Sequence, residues 1–264
     1  MASSNPAFAG KPAFKQNPTA EDLQKLYDLP SANRAPERVM TVEDTVVKSF
    51  ITFAVLLVGA VIGWMLVGTN PALGSVVTMI SAIAALVFAL IAIFAKPNPV
   101  FVLLYAVTEG VFLGAISLFY ESLWNGIVLQ AVIGTLAVVG VTLALFASGK
   151  IRASARANKI WLIAFGAYFL YSIINMFLLL FGAIQNNPWG LDGVRIFGIP
   201  LGVIIAPIVI LLGAYSLVMD FDMIKQGAIN KAPAAFAWTG ALSITITVVW
   251  LYLQILRILA IARN

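Results

Sequence analysis

Seven stretches of this chain are each long and apolar enough to cross a lipid bilayer, which leaves few other ways for it to fold. A transmembrane helix takes about 20 apolar residues to cover roughly 30 Å of hydrocarbon. The runs are Ser49–Val67, Ala72–Phe94, Val100–Phe119, Gly126–Ala147, Ile160–Ala183, Ile196–Met219 and Ala234–Ala262. Hydrophobic residues make up 61% of the 264 and charged residues only 10%, a balance foreign to water-soluble domains. The alternating segments of a transmembrane β-barrel do not occur. The expected fold is therefore all-α and polytopic, with seven transmembrane helices over residues 41–264. Residues 1–40, rich in Ala, Pro, Asn and charge, are expected to form a disordered cytoplasmic tail.

Charge placement gives an orientation. Residues 1–48 hold six basic and six acidic side chains, so the net charge of +5 lies in the membrane region. Such an excess does not call for a nucleic-acid partner. Lys96 lies between the second and third runs, and Lys150, Arg152, Arg156 and Lys159 between the fourth and fifth. Lys225 and Lys231 follow the sixth. Basic loops stay in the cytoplasm, so the N-terminus is expected there. Seven crossings then put the C-terminus outside, although Arg257 and Arg263 make a re-entrant last segment the alternative. The first apolar run begins only at Ser49, so no cleavable signal peptide is expected.

Local signals are few. Pro6-Ala-Phe8 recurs as Pro12-Ala-Phe14, and Asp22–Leu29 reads as a short helix. Thr41 followed by Glu43 and Asp44 reads as a helix start, with a hydroxyl cap and acids in the first turn. Ala106, Gly110 and Gly114 put small residues on one face of the third helix, where a neighbouring backbone can come close. Pro200 and Pro207 both fall inside the sixth run, where each would remove a backbone hydrogen bond.

Chemistry has little to draw on. There is no cysteine and no histidine, which excludes disulfides, Ser–His hydrolysis and H-E-x-x-H zinc proteolysis. No G-x-G-D accompanies the aspartates, and no phosphate-binding glycine loop exists, so an enzyme is not expected. After Lys48 only Glu109, Glu121, Asp192, Asp220 and Asp222 are acidic. Glu109 sits mid-span, where an unpaired charge costs about 3 kcal/mol. It is expected to be neutral, to face a wet cavity or to bind a cation. The packing alternative bonds it to a backbone carbonyl or to Asn175. Asp220 and Asp222 lie about 200° apart around a helix, so only one can face the bundle. They are read near that helix's C-terminal end, where the dipole disfavours a carboxylate. Thr108, Asn175, Ser243, Thr245, Thr247 and Gln254 are the other intramembrane polar side chains. Ser243 and Thr247 share a helix face, and Arg257 is expected to snorkel to the interface.

Thr108-Glu-Gly-Val-Phe-Leu-Gly114, Phe221-Asp222 and the closing Ala241-Leu-Ser-Ile-Thr-Ile-Thr-Val-Val-Trp-Leu-Tyr-Leu-Gln-Ile-Leu-Arg-Ile-Leu259 occur in an order that resembles the Bax inhibitor-1 (transmembrane Bax inhibitor motif) family, in its bacterial branch. The likeness spans residues 42–262. It implies six helices around a central seventh, in a bacterial inner membrane. It also implies a pH-sensitive calcium leak gated by facing aspartates in the sixth and seventh helices. Asp222 takes the first of those positions, and Thr247 stands where the second acid belongs. The implied pathway then uses Asp222 with Glu109 or Asp220, and calcium would meet Asp222 and Glu109. Asp220 is left to a loop or solvent. No cofactor beyond a transported or bound calcium is implied, and the partners are the bilayer and calcium or protons. Some bacterial relatives are associated with control of a membrane-bound AAA protease, so a non-conducting regulator is the second expectation.

A cysteine introduced at Ala153 tests the orientation. An impermeant maleimide should fail to label it from outside intact cells, and labelling there would reverse the topology.

Overall fold

The computed structural model describes residues 38–182, 184 and 187–264. The Pro-Ala-Phe repeat and the Asp22–Leu29 helix lie outside the described residues. The compact unit runs Val39–Asn264.

Seven helices long and apolar enough to cross a membrane fill it, among the described residues. They are α1 (Val42–Thr69), α2 (Gly74–Phe94), α3 (Pro99–Leu123), α4 (Ile127–Ala147), α5 (Ala155–Leu180), α6 (Leu201–Ile229) and α7 (Phe236–Arg263). Three starts are set by capping residues, which satisfy backbone donors that a helix cannot use itself. Thr41 Oγ1 accepts from the Asp44 amide at 3.0 Å, Asn98 Oδ1 from Val100 at 2.9 Å, and Ser154 Oγ from Ala157 at 3.2 Å. The α4 start is capped from the preceding helix. Glu121 accepts from the Gly126 amide at 2.5 Å and from Val128 at 3.1 Å, after a turn that Gly126 allows with φ of 78°.

The sixth run departs from expectation. Ile196 does not begin a helix. It belongs to a two-strand hairpin, β1 (Arg195–Ile196) and β2 (Ile199–Pro200). Phe197 and Gly198 turn it with φ of 53° and 82°, the positive angles a two-residue hairpin needs. Pro200 precedes α6 and only Pro207 lies within it. The helix instead continues to Ile229, so Asp220 and Asp222 lie nine and seven residues before its end. The dipole is felt only in the last turn, and it does not reach them. The last segment is one continuous helix from Phe236 to Arg263, roughly 42 Å at 1.5 Å per residue, long enough to cross a bilayer.

Packing follows the small residues. Gly110 and Gly114 of α3 lie against Gly59 and Ala60 of α1, and Gly63 lies against Val111. A Cβ at Gly59 would stand 2.5 Å from the Val107 carbonyl oxygen, so the two backbones touch. The expected small-residue face of α3 thus meets a matching Gly59-xxx-Gly63 on α1. At the middle of the bundle, α7 meets Leu56 of α1 and Ala106 and Leu113 of α3 through Val249, and Ala131 of α4 beside Leu256. It also packs on α6, where Gly213 sits against Trp250 and Leu251. Helix α5 is peripheral, with Asn175 its single buried residue.

Gly110→Leu should force the α1–α3 backbones apart and lower the melting temperature in detergent by about 5 °C or more. Gly140→Ala should leave it unchanged, because a Cβ there meets nothing within 4 Å. Equal melting temperatures for the two variants would refute the close α1–α3 contact.

Candidate functional site

Ser243, Thr247, Gln254 and Arg257 are spaced so that they fall within about 80° of arc on α7. Each is engaged by a different part of the chain. Asp220 of α6 takes the first two: its Oδ1 accepts from Ser243 Oγ at 2.5 Å and its Oδ2 from Thr247 Oγ1 at 2.7 Å. Gln254 accepts from the Tyr168 hydroxyl of α5 at 2.9 Å. Arg257 pairs with Asp192, from the segment between α5 and α6. The result is a polar stripe along one side of α7 with an aspartate at each end. A cavity of about 10 Å³ lies on it, bounded by Tyr168, Asp192, Gly202, Gln254 and Arg257 among others, room for about one water.

The Asp220 contact corrects the expected division of labour. Asp220 faces α7 rather than a loop, and it stands opposite Thr247. Asp222, on the far side of the same helix, has no hydrogen-bond or ion-pair partner among the described residues. The reason is helical arithmetic. Val209, Gly213, Leu217, Asp220 and Ile224 follow the stripe of α6 that packs inward, and a residue two further on points about 200° away from Asp220. Asp222's neighbour Phe221 instead meets Phe146 of α4, with ring centroids 5.5 Å apart.

Asp192 anchors the other end. Its side chain is 5% exposed, and it accepts from Tyr171 Oη at 2.7 Å as well as from Arg257. Asn175 holds the loop that carries it: Oδ1 accepts from the Leu191 amide at 2.7 Å, and Nδ2 donates to the Trp189 carbonyl at 3.2 Å. Trp189 stacks on Tyr120 of α3, centroids 6.3 Å apart. Two expectations change here. Arg257 does not snorkel away, because a buried carboxylate is within its reach. Asn175 is not the partner of Glu109, because both ends of its amide serve the Asp192 loop. Asp192 itself was hidden by a loop of balanced charge. The arc shared by Arg257 and Thr247 was the signal that this arginine faces protein.

Glu109 stands apart. It is half-buried on α3, and no hydrogen-bond partner occurs among the described residues. Its helix turns Ala106 and Leu113 toward Leu56 and Val249, and Tyr105 toward Ala85, Ala92 and Leu242. Glu109 sits at the edge between those faces. The α7 side chains that pack on those faces, Leu242, Ile246 and Val249, are apolar. Among the described residues no three acidic side chains gather into a group that could hold a metal ion.

A family model described as Bax inhibitor 1 like matches residues 5–264. The chain belongs to that family. No curated protein and no solved structure matches it. The Bax inhibitor 1 like match covers nearly every residue, so the α7 stripe, Asp220 and the Asp192 loop all lie within the family's span, in a multi-pass membrane protein in contact with lipid.

Arg257→Met should strand the Asp192 carboxylate and cost about 2 kcal/mol or more in detergent unfolding, less than for a fully buried pair because the Arg257 side chain keeps 29% exposure. Adding Asp192→Asn should recover most of the loss. If the double variant is no more stable than the single, the pair is not what ties the loop down.

Proposed function

We propose that this protein is a cation leak whose pathway follows the polar stripe of α7, with Asp220 as the carboxylate that attracts the ion. The observation that carries it is the stripe itself, with a carboxylate at each end and hydroxyl and amide oxygens between. Hydrocarbon offers no partner to such groups, so a row of them is costly without a use. Calcium prefers several oxygen ligands. Asp220 with two hydroxyls is a thin coordination shell, suited to an ion that passes rather than one that stays. Membership of the Bax inhibitor 1 like family supports calcium as the ion to try first, in a bacterial inner membrane with the N-terminus in the cytoplasm. Glu109 lies at about the depth of Asp220, each ~14–15 Å from the same end of the bundle at 1.5 Å per residue. It would add negative potential at that depth without touching the stripe.

With Thr247 where a second acid would make a pair, Asp220 has no second carboxylate in contact with it. The pH profile of flux should therefore have a single-proton slope. Thr247→Asp creates two adjacent carboxylates, which titrate as a coupled pair and should steepen it.

Calcium uptake into proteoliposomes is the direct test. Asp220→Asn should lower flux by about tenfold, the scale on which a fixed charge concentrates a counter-ion, and Asp222→Asn should match wild type. If Asp222→Asn alone abolishes flux, Asp220 is not the pathway carboxylate. If the wild type passes neither calcium nor protons, the leak is refuted. The non-conducting regulator of a membrane-bound AAA protease then becomes the reading to pursue.

A further inference from the structure

The residues just before α1 cross under the turn that joins α6 to α7. Val39 pairs with Pro233 as an antiparallel β-bridge, and the Met40 amide donates to the Ala232 carbonyl at 2.7 Å. The Met40 side chain is 4% exposed, packed with Ile224 of α6 and Ala237 of α7. Gly227 leaves room for it, since a Cβ there would lie 3.1 Å from Met40 Sδ. The first turns of α1 add a second grip. Lys48 Nζ donates to the Ala234 carbonyl at 3.0 Å and to Asp44 Oδ2 at 2.7 Å, and it stands 5.4 Å from the centre of the Trp238 ring. Thr45 is fully buried, its methyl against Gly240.

These contacts do more than start a helix. One turn carbonyl, Ala232, takes its hydrogen bond from the segment before α1, and a second, Ala234, takes one from Lys48 of α1 besides that of the Ala237 amide within the hairpin. Ile224 is one helical turn from Asp220, and Gly240 is three residues before Ser243. For α6 and α7 to part at Asp220, the turn below must open or tilt. Opening it would strip Met40 from its pocket, leave the Ala232 carbonyl unpaired and remove the Lys48 bond to Ala234, a combined cost that favours the closed contact.

We propose that residues 39–48 are an inhibitory strap that holds the α6–α7 hairpin closed at Asp220, Ser243 and Thr247. The chain before Val39 is thereby a handle on that contact: whatever draws Val39 and Met40 off the turn frees the hairpin. The gating half of this rests on the proposed leak. The mechanical half does not.

Hydrogen exchange and flux are measured on the full chain. Met40→Ser and Lys48→Gln should each speed amide exchange in residues 218–229 and 237–247 by about fivefold or more, with residues 56–63 and 107–114 unchanged, and should raise flux. Val39→Cys with Pro233→Cys acts in the opposite direction. A β-bridge brings the Cα atoms to about 4.5–5.5 Å, within disulfide range, and the native chain has no other cysteine. Oxidation should slow both exchange and flux relative to the reduced form. If none of the three changes moves exchange in those segments, the strap is refuted whether or not the protein conducts. If exchange moves while flux does not, and Asp220→Asn still lowers flux, the strap secures the turn but does not gate. If Asp220→Asn leaves flux untouched, the leak reading fails by itself, and exchange alone decides the strap.

Discussion

Inside hydrocarbon a polar side chain has no water to turn to, so its partner must come from another part of the protein. Four such side chains stand on one side of α7: Ser243, Thr247, Gln254 and Arg257. Asp220, Tyr168 and Asp192 answer them from α6, α5 and the α5–α6 segment. That demand draws three separate pieces of chain onto one helix. It explains why α7 is central, and why a short hairpin, β1–β2, interrupts what reads as an unbroken apolar run. The hairpin and its loop fold back so that Asp192 can reach Arg257.

The bundle is held together in two ways with different consequences. Between α1 and α3, glycines let backbones touch, and contacts of that kind either fit or clash. Around α6 and α5 the ties are hydrogen bonds between side chains, which average only about 0.6 kcal/mol each inside membranes. Helix α5 is the extreme case. It buries only Asn175, and polar contacts hold it along its length: Tyr215 to Asn158 at 2.6 Å, Trp161 to the Leu212 carbonyl at 2.9 Å, and Tyr171 to Asp192. Beside the α1–α3 unit, the α6–α7 seam joins close glycine contacts at Gly202 and Gly213 to the hydrogen bonds of Asp220, and the polar stripe runs along it. The strap at residues 39–48 joins the two, continuous with α1 and held to the α6–α7 turn by hydrogen bonds and packing.

Asp220 shows how a site can be fitted by a different residue than the sequence pattern suggests. Two aspartates two residues apart offered two candidates, and a helix lets only one look inward. The inward stripe of α6 was set by Gly202, Val209 and Gly213, far from the aspartates, where α7 comes close. Gly202 lies within 3.0 Å, measured from a Cβ built there, of Ile261. Helical phase carried that choice along to position 220. The site there offers one carboxylate and two hydroxyls.

The number of crossings, the all-α class, the Thr41 cap and the small-residue face of α3 are local properties of the chain. They follow from run length, capping chemistry and 3.6-residue periodicity, which neighbours in sequence decide among themselves. Membership of the family was likewise legible in Thr108–Gly114 and in the pattern of the last two helices. The bounds of α6, the inward face of Asp220, and the pairing of Asp192 with Arg257 and Asn175 were not. Each depends on which helices lie side by side: Pro200 ends a hairpin because Asp192 is anchored across the bundle, and Arg257 is drawn inward because that acid is waiting. Val39 to Pro233 is another long reach, 194 residues in sequence closed by one β-bridge. Periodicity tells a residue's angle on its own helix, but only packing decides which angle meets a partner.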